Sequence, residues 1–269
     1  MKKSNHPIDK SKLEDLYKRY HTKAFLQEDP IQFVHQYKFS IKDQEVVAFI
    51  VSTLAFGQRK VMNPFIGQVL SHLGSKPYKA VYDFVIKDTS QLESLCYRFI
   101  KGIDLINLIY RLHMVLKTYD SLEALFVEGY KETESIKSAV THFIETLSRI
   151  SIPEEWAYKT IHRDRNFKFL LASPSRGSAC KRFHLFLRWM VRKDNVDLGI
   201  WKKIPKKALL IPVDTHVARV SKALNLTERK TPDWKMAEEI TSNLRILDGK
   251  DPVKYDLALF GLGVSDHSL

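Results

Sequence analysis

Lys181 is a candidate nucleophile because of where the sequence places it. It lies in the first turn of a predicted helix that spans residues 179–193. The positive end of the helix dipole and the neighbouring Arg182 both disfavour the charged ammonium form of this side chain. A neutral lysine amine is a nucleophile, so this position could carry covalent chemistry. The alternative is a lysine whose ammonium group points to water or to a phosphate.

Asp214 is the second residue whose type and position could support catalysis. It lies where a helix N-cap is expected, just before the apolar positions Val217, Val220 and Leu224. A carboxylate at such a place can stabilise positive charge that develops on a substrate, or accept a proton from an amine or a water. The alternative is structural: Asp214 caps the helix and has no part in any reaction.

A tight turn of small and polar residues precedes the helix that carries Lys181. Residues 167–172 predict a short apolar helix, and residues 173–178 are dense in turn formers. Backbone N–H groups in such a turn, close to a helix N-terminus, can bind a phosphate without reading base sequence. The alternative is an ordinary corner between two packed helices. The candidate phosphate contacts are Ser175, Arg176, Gly177, Ser178 and Arg182.

Positive charge is concentrated in one part of the chain. The 269 residues include 43 Lys and Arg against 31 Asp and Glu, which gives a net charge of +12. Residues 159–207 hold fourteen basic and three acidic side chains, so they carry eleven of these twelve charges. Such a segment indicates a polyanionic partner, and the alternative is a solvated basic face. Its basic residues are Lys159, Arg163, Arg165, Lys168, Arg176, Lys181, Arg182, Arg188, Arg192, Lys193, Lys202, Lys203, Lys206 and Lys207.

Helix signals recur along the chain, and strand signals are nearly absent. The segment that Ser40 opens is apolar almost all round, which indicates a buried central helix. Residues 103–119 predict a long helix from the spacing of their apolar side chains. The sequence therefore predicts an all-α fold. Further helix starts are predicted at the Ser11–Glu14 capping box, Asp29-Pro30, Thr231-Pro232 and Asp251-Pro252.

Composition and cysteine count exclude several classes of protein. Apolar residues make up 44% of the chain, too many for a disordered protein. The longest uncharged apolar run, residues 46–56, is too short to span a bilayer. No apolar segment follows the N-terminal lysines, and Cys96 and Cys180 make no disulfide framework, zinc site or iron–sulfur motif. We expect a cytoplasmic monomer without membrane contact, metal or cofactor.

These residues resemble the helix-hairpin-helix DNA glycosylases, the superfamily that includes endonuclease III. The resemblance rests on Val213-Asp214-Thr215-His216 and on Lys181 early in the second hairpin helix. The separation of Lys181 and Asp214, 33 residues, is similar to that in the archaeal 8-oxoguanine glycosylases. Over nearly the whole chain, the sequence is also similar to a bacterial family of uncharacterised conserved proteins. The features shared with that family are Leu54-Ala55-Phe56-Gly57, Arg188-Trp189-Met190-Val191-Arg192, Pro212-Val213-Asp214-Thr215-His216 and Asp251-Pro252-Val253-Lys254-Tyr255-Asp256.

The resemblance implies two helical subdomains that flank a DNA-binding groove. One subdomain would comprise residues 1–38 and 208–269, and the other residues 39–207, with the hairpin near 166–193. It also implies a DNA repair enzyme that binds double-stranded DNA and flips a damaged base into a pocket. The enzyme would then cleave the glycosidic bond of that base, with oxidised purines as one candidate lesion.

The resemblance assigns roles to individual residues. Lys181 would be the nucleophile of a Schiff-base AP-lyase step, and Asp214 would be the catalytic aspartate. The alternative is a monofunctional glycosylase, in which Lys181 only contacts a phosphate and a water attacks the sugar. Phe56 lies where the superfamily carries the wedge that fills the vacated base stack, and the alternative is a phenylalanine buried at a helix end. Gln58 and Arg59, just beyond it, could contact the orphaned base or the backbone.

The sequence also departs from the superfamily. Its hairpin lacks a Leu-Pro-Gly-Val-Gly pattern, and the C-terminal four-cysteine cluster is absent. Leu185 stands where the archaeal enzymes carry a base-stacking aromatic residue, with Phe186 beside it. A function of another class therefore stays open. The chain could be a non-catalytic DNA- or RNA-binding helical protein that uses the basic face of residues 159–207, although the presence of both Lys181 and Asp214 argues against lost chemistry.

Overall fold

The computed structural model describes residues 9–22, 27, 29–86, 89–154, 156 and 164–265. This part of the chain is mostly helical and contains one two-stranded hairpin, so the predicted all-α fold is confirmed. The α-helices of the described residues are α1 (Lys10–Tyr20), α2 (Ile31–His35), α3 (Ile41–Leu54), α4 (Arg59–Leu73), α5 (Pro77–Tyr82), α6 (Ser90–Glu93), α7 (Gly102–Tyr119), α8 (Leu122–Lys131), α9 (Ile136–Arg149), α10 (Asp164–Leu170), α11 (Lys181–Val191), α12 (Thr215–Ala223), α13 (Trp234–Leu247) and α14 (Asp256–Ser265).

Short elements connect these helices. The hairpin pairs β1 (Cys96–Tyr97) with β2 (Ile100–Lys101) in antiparallel register. The two predicted Asp-Pro starts are met only approximately. Pro30 is itself the N-cap of α2, one residue later than predicted, although Asp29 accepts the backbone N–H of Ile31 at 3.1 Å, and Asp251 precedes a 3₁₀ turn rather than an α-helix. The 3₁₀ turns of the described chain are Pro174–Arg176, Lys206–Ala208 and Pro252–Tyr255.

Two predicted helix starts are wrong by two residues. α1 begins before Ser11, because the side chain of Asp9 accepts the backbone N–H of Lys12 and already caps the helix. α13 begins after Asp233 rather than at Thr231-Pro232, because the Asp233 carboxylate caps it. In both cases a nearby aspartate competes with the predicted signal, since a carboxylate is among the strongest N-caps.

α3 is the buried central helix that the sequence predicts. Ser40 caps it by accepting the backbone N–H of Asp43 at 3.1 Å, and its residues from Asp43 to Leu54 are all buried. Phe49 at its middle packs against Phe143 of α9 and against α11. This core fixes the direction of α11, which carries Lys181. No helix in the described ranges is long and apolar enough to cross a membrane.

The first and last described helices lie against each other. α1 and α12 both pack on α14, and the Pro252–Tyr255 turn packs on α13. The approach is close at Gly261, where a Cβ atom would lie 2.4 Å from the ring of Tyr20. The remaining packing is centred on α3, which contacts α2, α4, α5 and α11. The division at residues 38/39 and 207/208 stays a prediction.

A buried ionic cluster joins α11 to the C-terminal region. Arg188 and Arg192 are 2% and 3% exposed, and both pair with the fully buried Asp197. Arg188 also pairs with Asp256, and Arg192 pairs with Asp251 at 2.8 Å. The prediction that both arginines belong to an exposed basic face was therefore wrong. Asp197 is close to them in sequence, but Asp251 and Asp256 are 59 and 68 residues from their partners, so the local sequence did not indicate that both arginines are buried.

Removal of Asp197 is expected to destabilise the fold strongly. Asp197→Ala would leave two arginines facing a vacated buried position, and breaking a buried pair costs about 3–5 kcal/mol. Urea unfolding measures this loss in the free energy of unfolding. The matched control is Asp83→Ala, which removes an exposed carboxylate that pairs with Lys79 at 3.1 Å and costs less than about 1 kcal/mol. Equal losses for the two variants would contradict the structural role of the cluster.

Candidate functional site

A cleft of about 1010 Å³ opens between the end of α3 and the first turns of α11, α12 and α14. Distant segments of the sequence contribute to its wall, and they include most of the residues predicted for chemistry or DNA contact. Its volume is in the range of pockets that enclose a small organic ligand. The predicted residues that line the cleft are Phe56, Gln58, Arg59, Lys181, Arg182 and Asp214.

Lys181 and Asp214 meet in this cleft despite their separation in sequence. The Nζ atom of Lys181 lies 4.0 Å from Oδ2 of Asp214, and both side chains are partly exposed. Lys181 is the first residue of α11, two residues later than the predicted helix start. The reason is Cys180, whose φ of +46° is left-handed and ends any helix before it. The lysine therefore projects from the very end of the helix.

Asp214 performs the predicted capping and still faces Lys181. Its Oδ1 atom accepts the backbone N–H of Val217 at 2.9 Å, which caps α12. The second oxygen, Oδ2, is the atom directed to Lys181. The capping interpretation and the catalytic interpretation of Asp214 are thus compatible, because each uses a different oxygen. The cap also fixes the carboxylate in one orientation.

The cleft contains a second carboxyl group that the sequence analysis missed. Asp256 lines the cleft at the start of α14 and is 5% exposed. Burial raises the pKa of Asp256 to about 6, against the opposing effect of the Arg188 guanidinium, and the charge of Asp214 raises this pKa further. Arg188 lines the same wall, and its Nη2 atom has no hydrogen-bond partner among the described residues. The only sequence signal was the family string that ends at Asp256.

Arg182 is held by the protein rather than directed at solvent. Its guanidinium donates to the carbonyl oxygens of Thr53, at 2.9 Å, and of Phe169. It also lies over the rings of Phe56 and Phe169, at 5.3 and 4.4 Å from their centroids. Burial lowers the pKa of Arg182 to about 10. These contacts give Arg182 a positioning role at the rim of the cleft.

The segment after α3 places its predicted residues at the cleft wall. Phe56 is partly buried. It is therefore neither a fully exposed wedge nor a fully buried core residue. Gln58 is exposed and precedes α4. Arg59 lies 3.9 Å from Asp29 and over the ring of Phe260 at 5.1 Å. All three face the same space as Lys181.

Leu185 and Phe186, which were compared with a base-stacking position, lie in different places relative to the cleft. Leu185 lines the cleft, whereas Phe186 is fully buried against Phe49 and Trp201. Besides Phe56 and Phe169, the ring of Phe260 of α14 lines the cleft, and Phe260 was not predicted as a site residue. The sequence does not distinguish Phe260 as a cleft residue, because α14 is apolar on almost every face.

The predicted phosphate-binding turn lies next to the cleft and is not part of its lining. Pro174–Arg176 forms a 3₁₀ turn that ends at Gly177, whose φ of +75° favours glycine. Ser175, Arg176 and Gly177 are exposed. Ser178 instead lines a smaller cavity of about 240 Å³, to which Lys181 also contributes. Phosphate binding by these residues stays a prediction.

Residues 29–265 match the protein family described as "Protein of unknown function (DUF2400)". The chain belongs to this DUF2400 family. The match includes every residue of the cleft, from Asp29 to Val264. Neither a curated protein nor a solved structure matches the chain. The family description assigns no activity, so a functional proposal for this DUF2400 protein depends on the geometry of its cleft.

The basic segment of the DUF2400 chain does not form one continuous face. Arg188 and Arg192 are buried, as described above. The exposed lysines at positions 193–207 follow the far end of α11, which is about 16 Å long and begins at Lys181. Lys159 and Arg163 lie outside the described residues. The exposed charge is therefore divided between the two ends of α11.

Possible metal ligands and the one thiol near the cleft of the DUF2400 protein can be described directly. Within the described ranges, no group of three or more His, Cys, Asp or Glu side chains could hold a metal ion. Cys180 lies beside Lys181 but is 3% exposed, and burial raises the pKa of its thiol to about 12. A protonated, buried thiol is unreactive.

Proposed function

We propose that this protein is a DNA glycosylase with a Schiff-base AP-lyase activity. The observation that carries the proposal is the pairing of Lys181 with Asp214, 33 residues apart in sequence and 4.0 Å apart at one cleft. An amine beside a fixed carboxylate is the arrangement that covalent chemistry at a sugar carbon needs. The helix–turn–helix of α10 and α11 and the contact of α1 with α14 support the helix-hairpin-helix resemblance and its two subdomains.

The reaction begins when the damaged nucleotide leaves the duplex and enters the cleft. Asp214 takes the proton of the Lys181 ammonium, and the neutral amine attacks C1′ of the deoxyribose. Asp214 passes this proton to the base, which leaves with the electron pair of the glycosidic bond, and Asp214 becomes a carboxylate again. Positive charge grows on the sugar as that bond breaks, and the adjacent carboxylate stabilises it. The C1′–O4′ bond then breaks, O4′ keeps its electron pair and takes one proton from the lysine nitrogen, and an iminium between C1′ and Lys181 remains.

Strand cleavage follows from this iminium. It acidifies the C2′–H bond, so a base can remove that proton and expel the 3′ phosphate by β-elimination. Asp214 and Asp256 are the carboxyl groups of the described cleft lining that lie near enough to influence each other. Hydrolysis of the remaining Schiff base releases the amine of Lys181 for another turnover.

Two helix ends favour an anionic ligand at this cleft. Lys181 begins α11, and Thr215 begins α12, so the positive ends of both helix dipoles are directed at the same space. Each contributes about 0.3–1 kcal/mol at an exposed position, which is enough to help orient a DNA phosphate. Leu185 and Phe260 supply an apolar wall against which a flipped base can pack.

Borohydride trapping tests this proposal directly. The protein is incubated with duplexes that each contain one of several damaged bases, and borohydride reduces any Schiff base to a stable cross-link. We expect a cross-linked protein–DNA species with at least one oxidised-purine duplex and with an abasic-site duplex. Binding to every duplex without any cross-link or base release would instead favour the non-catalytic nucleic-acid-binding function.

A further inference from the structure

Beside the cleft, three phenylalanine rings from distant parts of the sequence form one exposed aromatic cluster. Phe99, at the turn between β1 and β2, and Phe169 of α10 have ring centroids 4.8 Å apart at an angle of 78°. Phe56 completes the cluster, with its centroid 5.0 Å from Phe169 and 6.1 Å from Phe99. Phe99 is 42% exposed and Phe169 is 37% exposed. Phe56 and Phe169 line the cleft, so the cluster extends from the cleft to the surface.

The segments that carry these rings are strongly basic. Residues 56–60, 96–101 and 165–169 contain six Lys and Arg and no Asp or Glu. Most of these cations lie outside the basic segment that the sequence analysis identified. Arg165 is four residues before Phe169 on α10 and so lies on the same side of that helix. The exposed cations of these segments are Lys60, Arg98, Lys101, Arg165 and Lys168.

The cluster is held rigidly in place. The amide of Asn166 donates to the carbonyl oxygen of Phe99 at 3.1 Å, which ties α10 to the hairpin turn. Tyr97 donates to the carbonyl oxygen of Phe56, and Arg182 donates to that of Phe169. Because these backbone groups are fixed before a ligand arrives, little conformational entropy is lost when one binds.

We propose that Phe99 and Phe169 form a stacking platform for unpaired nucleotides of the DNA strand that leaves the cleft. Bases stack on aromatic rings without regard to sequence, and cations beside the rings hold the phosphates. A protein partner fits less well, because the five exposed cations of these segments favour a polyanion. The platform does not depend on the chemistry of Lys181, because it binds single-stranded DNA even when no base is excised.

Binding of single strands by variants at Phe99 tests the platform. Fluorescence anisotropy measures the affinity of the full-length protein for a dye-labelled oligothymidylate and for a blunt duplex of equal length. Phe99→Ala is expected to weaken oligothymidylate binding by about tenfold, and duplex binding by less than about twofold. Phe99→Trp keeps an aromatic ring and is expected to retain wild-type affinity. The matched control is Phe39→Ala, which removes another exposed phenylalanine, 92% accessible, outside the platform.

Each result has a defined meaning. Equal loss of single-strand and duplex binding in Phe99→Ala, or equal loss in Phe39→Ala, would overturn the platform. Tighter binding of oligouridylate than of oligothymidylate by the wild type would overturn the assignment to DNA. The experiment involves no catalysis, so its outcome is independent of borohydride trapping. If the wild type forms the borohydride cross-link and Phe99→Ala binds oligothymidylate as tightly as the wild type, the glycosylase proposal stands and only the platform is refuted.

Discussion

Lys181→Gln is expected to abolish the borohydride-trapped cross-link on every lesion that the wild type processes. Glutamine keeps the approximate length and polarity of lysine but has no nucleophilic amine, so no Schiff base can form. The overall fold should persist, because Lys181 is partly exposed and its ionic partner among the described residues is Asp214 at the cleft. Denaturing electrophoresis of the reduced reaction measures the cross-link, and thermal unfolding verifies the fold.

Binding measurements separate loss of chemistry from loss of DNA contact. Lys181→Gln removes one charge, so its affinity for non-specific duplex should fall only a few-fold, with a salt slope smaller by about one. The control is Lys193→Gln, which removes an exposed lysine at the other end of α11 and should trap DNA normally. If the cross-link still formed in Lys181→Gln, another amine would be the nucleophile, and the role proposed for Lys181 would be refuted.

The sequence was sufficient to locate this pair because each residue carries a local signal. Lys181 follows a turn and begins a helix, and Asp214 precedes an apolar stripe at an N-cap position. The structure adds that the two helix ends meet and that Asp214 uses separate oxygens for the cap and for Lys181. That geometry depends on the packing of α11 against α3, which no local pattern encodes.

Other parts of the site depend on long-range partners and could not be predicted. Arg188 lies in a basic segment, and one of its two acidic partners, Asp256, is 68 residues later in the chain. The contact between Phe99 and Phe169 likewise joins residues 70 positions apart in the chain. Amphipathic periodicity predicts which face of a helix is buried, whereas it carries no information about which distant side chain covers that face.

Asp214→Asn is expected to slow base release by about 10²–10³-fold while the protein stays folded. The carbonyl oxygen of asparagine can replace Oδ1 and accept the backbone N–H of Val217, because Asn caps a helix about as well as Asp. The uncharged amide then replaces Oδ2 beside Lys181, so it can neither take the ammonium proton nor stabilise positive charge on the sugar. Single-turnover release of the damaged base measures the rate.

Comparison with two other variants distinguishes catalysis from capping at this residue. Asp214→Ala loses the cap as well, so it should lower the free energy of unfolding by about 0.5–2 kcal/mol in addition to slowing base release. Asp9→Asn makes the same chemical change at the cap of α1, where Asp9 accepts the backbone N–H of Lys12 at 3.1 Å, and should leave base release unchanged. Full activity of Asp214→Asn would mean that capping is all this carboxylate does. A large loss of stability in Asp214→Asn would mean that Oδ2 also has a structural role, since the cap alone tolerates the amide.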